Sequence, residues 1–146
     1  MKKLIALGFT ALLSLSGALH AAEYKIDTAG AHAFVQFKIK HLGYSWLYGR
    51  FNDFEGRFNY DPDKPEASSV NITIKTASID SNHAERDKHL REKDFLAVDK
   101  YPKAIFKSTS FKALGDGKAE MKGTLTLRGV TKPVTIAVTE IGGGPD

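Results

Sequence analysis

The chain contains no cysteine in its 146 residues, which excludes disulfides, thiol nucleophiles and cysteine-held metals together. It also lacks the glycine-rich phosphate loops of nucleotide-binding proteins. A nucleophile elbow is missing too, because Gly43-Tyr44-Ser45 is followed by Leu47 where the closing glycine would stand. Beyond the first fifteen residues no apolar run approaches the length needed to cross a bilayer, so no integral span is expected. Solenoid repeats and low-complexity linkers are absent as well.

The chain opens with a basic Met1-Lys2-Lys3, continues with an apolar run from Leu4 to Leu15 and reaches the small residues around Ala21. That order is the layout of a secretory signal peptide, and residues 1–21 are expected to be removed, leaving 22–146 as one domain in an exported compartment, a bacterial periplasm. Losing Lys2 and Lys3 takes the basic side chains from 21 to 19 against 17 acidic ones. Such a balance carries no nucleic-acid footprint.

What remains is mostly strand. Tyr24 to Asp27 is short and closed by a turn cluster, and His32 to His41 alternates, with Ala33, Val35, Phe37 and Ile39 on one face. Leu42 to Gly49 reads as a glycine-bracketed loop with Tyr44, Trp46 and Tyr48, either a cap for the core or an exposed apolar lip. Strand character resumes from Arg50 to Tyr60, where Gly56 marks a bulge or a bend. Val70, Ile72 and Ile74 give the cleanest alternation. Three more strands follow from Ala104, and Asp116-Gly117 is a hairpin turn. The sum is six or seven strands at spacings of about ten residues, the pattern of a sandwich or barrel. Nine phenylalanines, eight of them after the signal, favour a barrel with an aromatic interior.

One helix interrupts the strands. Asn82 with Glu85 three residues on resembles a capping box, with Asp80 as the alternative cap, and Tyr101-Pro102 ends the segment. The helix has no wide apolar stripe, so it is expected across a surface or opening, pinned by Leu90, Phe95 and Leu96. His83 and His89, six apart, are about 120° out of register and cannot share a metal ion. His32 and His41 lie on opposite faces of their strand. No metal, cofactor or catalytic set emerges.

The candidate site is therefore an apolar interior with a polar rim. Alternation assigns Val35, Phe37, Ile39, His41, Phe51, Phe54, Phe58, Ile72, Ile74, Phe95, Phe106 and Leu125 to a cavity. Ser78, Asp80, His83, Arg86 and His89 fall at its rim, where arginine and histidine suit an anionic or hydroxylated head group. A packed core with an ordinary solvated rim fits the same spacing.

Several stretches together carry a resemblance: His41-Leu42-Gly43, Asn82-His83-Ala84-Glu85-Arg86-Asp87 with His89-Leu90, Asp94-Phe95-Leu96, and Gly129-Val130-Thr131-Lys132-Pro133-Val134. In this order the chain after residue 21 resembles the YceI family of polyisoprenoid-binding periplasmic proteins. The resemblance implies a mainly β, lipocalin-like antiparallel barrel with one short helix, whose cavity holds a long isoprenoid, quinone- or polyprenyl-like, without catalysis. Family members continue with further C-terminal strands, so a truncated, open barrel is expected here. Two other readings stay open: a lipid-acting hydrolase using His83, Asp87 or His89, and a stress-related interaction module built on Tyr44, Trp46 and Tyr48. Oligomeric state is not encoded, a dimer included.

Overall fold

The computed structural model describes residues 22–30 and 32–143; the expected signal segment lies outside them. Within them run nine strands: β1 (Ala22–Lys25), β2 (Val35–His41), β3 (Ser45–Phe51), β4 (Phe54–Tyr60), β5 (Ser69–Lys75), β6 (Ile79–Asp80), β7 (Lys103–Gly115), β8 (Lys118–Leu127) and β9 (Val130–Thr139). Helix α1 spans Ala84–Arg91, and single 3-10 turns occupy Pro65–Ala67 and Thr76–Ser78. All pairing is antiparallel, in a six-stranded sheet ordered β1-β4-β5-β7-β8-β9 and a three-stranded sheet ordered β2-β3-β6. Among the described residues the two sheets do not close into a barrel.

The expected loop from Leu42 to Gly49 is mostly strand. Only Leu42, Gly43 and Tyr44 turn, and Ser45 already pairs with His41. Leu42 and Gly43 both have positive φ, 49° and 83°, the twist a tight hairpin needs. Leucine at such a position carries no turn signal, which is why the sequence hides the hairpin. Gly56 is not a bulge, since the β4–β5 register runs through it unbroken. It instead admits the Ile26 side chain, whose Cδ1 would lie 2.7 Å from any Cβ placed there. β7 breaks register twice, near its end where Leu114 is skipped between Ala113 and Gly115 and, in its middle, by a bulge that skips Thr109 between Ser108 and Ser110. The bulge reverses the alternation, so that Phe106 and Phe111, five residues apart, face the same way.

Tyr60 shows how strongly the large sheet curls. Its hydroxyl donates to Glu140, just past the end of β9, at 3.2 Å. From β4 to β9 the sheet takes four inter-strand steps, roughly 19 Å if flat. A tyrosine side chain cannot reach that far. The face bearing Tyr60 is therefore concave, and it is the apolar one.

Candidate functional site

The registers lay that concave face out in rows. Phe54, Ile74 and Ala104 form the first, Gly56, Ile72, Phe106 and Leu125 the second, and Phe58 with Val70 the start of a third. Six of the residues assigned to a cavity from sequence, Phe54, Phe58, Ile72, Ile74, Phe106 and Leu125, thus form one continuous patch. The first row is covered: Phe54, Ile74 and Ala104 are buried, with Val35 and Phe51 of the small sheet and Ile26 and Ala33 packed on them. Phe37 follows, its ring 5.7 Å from that of Phe51. Ile39 and His41 lie farther along β2 toward the hairpin tip and are exposed. Phe95 belongs to neither sheet and meets His89 edge to face at 4.7 Å.

Away from the first row the apolar face is only partly covered. Phe58 stacks on Tyr24 at 4.8 Å. Phe106 and Met121 are buried, whereas Ile136 and Leu127 keep 38% of their surface open. Tyr24, Val70, Met121 and Ile136 share this face but are not in the cavity set taken from sequence. Val70 and Met121 follow from alternation with Ile72 and Leu125 in their own strands, whereas Tyr24 and Ile136 join through their partners Phe58 and Met121. Two surface recesses, about 550 and 520 Å³, lie elsewhere. The first sits by Arg91, Lys100, Tyr101 and Arg128, and the second crosses the opposite face beside Glu55, Arg57 and Lys107.

Each of the five polar rim residues is engaged locally, and His83 and Arg86 tie the start of the helix. His83, not Asn82, is the N-cap, its Nδ1 accepting the Arg86 backbone N–H at 3.2 Å. Asn82 has φ of 63° and so cannot supply the extended backbone of a cap. Asp80 does not cap either; it accepts the Asn82 backbone N–H at 2.9 Å in a local turn. That N–H, then the Asn52 amide and then Arg50 hold its carboxyl below the usual carboxylate value. Ser78 accepts the Asp53 N–H at 3.0 Å and donates to the Lys75 carbonyl at 2.7 Å.

Sequence reasoning missed the centre of this cluster. Asp87 is only 7% exposed and Ser81 2%. One Asp87 oxygen accepts both the Ser81 N–H, at 2.8 Å, and the Ser81 hydroxyl, at 2.5 Å. Arg86 completes it, Nε donating to Ser81 Oγ at 2.8 Å and Nη2 to the Ser81 carbonyl at 2.6 Å. Polarity this well matched can be buried at little net cost. Among the described residues no three histidine or carboxylate side chains are grouped as a metal site, and no helix is long and apolar enough to cross a membrane.

Comparison with known proteins agrees with this architecture. A family model described as YceI-like domain matches residues 24–144. A UPF0312 protein of Pseudomonas aeruginosa is 59% identical and protein YceI of Escherichia coli O157:H7 57% identical, each over 145 residues, covering 99% of this chain and 75% of the relative. The crystal structure of Burkholderia cenocepacia BcnA superposes with a TM-score of 0.69 at 28% identity, over 75% of this chain and 67% of that one. A polyisoprenoid binding domain from Saccharophagus degradans shares the fold at a TM-score of 0.54 and 18% identity, over 81% of this chain and 66% of that one. The fold is lipocalin-like, in its open form.

Proposed function

The chain belongs to the YceI-like family, and from that premise we propose that it binds a long-chain apolar lipid of the polyisoprenoid type, quinone- or polyprenyl-like, on the concave face, after export to the periplasm. One observation carries the reading. The curl closed by Tyr60 and Glu140 bends an apolar face on itself, and beyond the part packed on the small sheet that face still leaves Leu127 and Ile136 open to solvent. A flexible hydrocarbon chain is the ligand that such a face suits. Covering roughly 400 Å² of apolar surface would supply about 10 kcal/mol before the costs of association, enough without a charged anchor. The polyisoprenoid binding domain with the same fold supports the ligand class, and the Met1-Lys2-Lys3 start with its apolar run supports export.

The histidines and Asp87, on which a hydrolase would depend, are engaged in packing and capping. His83 accepts at the helix start, His89 meets Phe95, and Asp87 holds Ser81. The binding reading is tested by organic extraction and mass spectrometry of the protein purified from a periplasmic fraction, beside titration with a fluorescent isoprenoid. An apolar ligand recovered from the wild type and lost in Leu125→Glu is the expected result. Failure to recover lipid, together with no saturable binding, overturns it.

A further inference from the structure

We propose that the tip of the β2–β3 hairpin is a docking element for the surface of an anionic lipid bilayer. Leu42 stands at its apex, 77% exposed, and Tyr44 beside it is 92% exposed. Trp46 and Tyr48 follow on one face of the hairpin, and Ile39, 57% exposed, lies on the other. A docking site for a folded protein is one-sided. A tip that is apolar at the apex and on both faces suits a medium that surrounds it.

Leu42 makes the case sharper. A non-glycine residue in the left-handed region costs about 1–2 kcal/mol. The chain's two-residue hairpin turns place Asp116 and Arg128 at a similar positive φ, 52° and 50°. Aspartate tolerates that conformation, and Arg128 is tied to the Lys93 carbonyl at 2.6 Å. At Leu42 the strained backbone holds an apolar side chain out into water, and such an outlier points to a use outside the chain.

Charge names the partner. From His32 to Phe51 the sequence has no aspartate or glutamate, and it carries Lys38 and Lys40 near the tip, while Arg50 at the base of the hairpin pairs with Asp80. Lys38 lies over the Trp46 ring, its Nζ 4.9 Å from the ring centre. Indole, phenol and ammonium at one level, below an apolar apex, is the composition of a membrane–water interface anchor.

Trp46 is the only tryptophan, so its fluorescence reports directly. With isoprenoid-free vesicles of phosphatidylethanolamine and phosphatidylglycerol, the chain is expected to co-float, with its emission shifted to the blue and quenched by brominated acyl chains. Leu42→Asn suits the turn and should keep the melting temperature, yet weaken partitioning about tenfold, the effect of withdrawing one leucine from apolar contact. Lys38→Gln and Lys40→Gln should each cost about fivefold on anionic vesicles and little on phosphatidylcholine. Absence of flotation overturns the proposal, as does flotation indifferent to Leu42→Asn. A blue shift that grows with protein concentration without vesicles also overturns it, by assigning the tip to a second copy. Because the vesicles contain no isoprenoid and cargo is assayed separately, this outcome is independent of what the concave face carries.

Discussion

The ring of Phe106 lies in the space that a side chain on Gly123 would need: a Cβ built there falls 2.6 Å from two ring atoms and 2.5 Å from the Lys107 carbonyl oxygen. The glycine lies two residues before Phe106's direct partner, Leu125, on the same concave face. It lets an aromatic ring lie flat on the sheet where a larger residue would lift it.

Gly123→Ala is therefore expected to destabilise the fold by about 1–3 kcal/mol, the usual cost of overpacking. Phe106→Leu in the same chain should recover only part, because the Lys107 carbonyl is backbone and cannot yield. Urea denaturation midpoints of the two single variants and the double variant check this; a neutral Gly123→Ala would show that the ring has room to move.

The Ser81–Asp87 cluster makes a second prediction. Asp87→Ala strips the acceptor from a buried N–H and a buried hydroxyl, and a loss of about 2–3 kcal/mol is expected. Ser81→Ala should cost less: it removes the hydroxyl that donates to Asp87 and accepts from the half-buried Arg86, but it leaves the backbone bond to Asp87. The double variant should lose less than the sum, because both changes dismantle one network. Additive losses in thermal or urea unfolding would mean that Ser81 and Asp87 act separately.

How much of this was legible beforehand depended on where the information is local. Val70, Ile72 and Ile74 alternate in a strand paired on both sides, so burial and period agree and the strand is plain. Asp116-Gly117 declares its turn by residue type. Leu42-Gly43 does not, and the aromatic strand after it looked like a loop. Thr109 shifts the parity of β7, and nothing in Ser108-Thr109-Ser110 announces that. At the helix start residue type points to Asn82, and only its left-handed backbone passes the cap to His83. The candidate site followed the same rule. Phe54, Ile72, Ile74 and Phe106 are readable within their own strands, whereas Tyr24 and Ile136 join them only through pairing across the sheet.

The Tyr60–Glu140 bond predicts how the curl responds to pH. Burial first, and then the Glu140 carboxylate that accepts its proton, raise the Tyr60 phenol above its ordinary 10.0. A group whose value is raised in the folded state contributes stability fully below its unfolded value and loses it as pH rises through the folded one. In alkali, ionised Tyr60 would face ionised Glu140, and the end of the curl should open. Lys75, raised by its contact with Asp53, titrates in the same direction, so the informative quantity is the difference between wild type and Tyr60→Phe. That variant should be less stable at neutral pH, having lost the bond, and the gap should narrow as pH climbs past about 10. Urea midpoints across that range measure it. A gap that stays constant would mean that the phenol's proton is not what joins β4 to the end of β9.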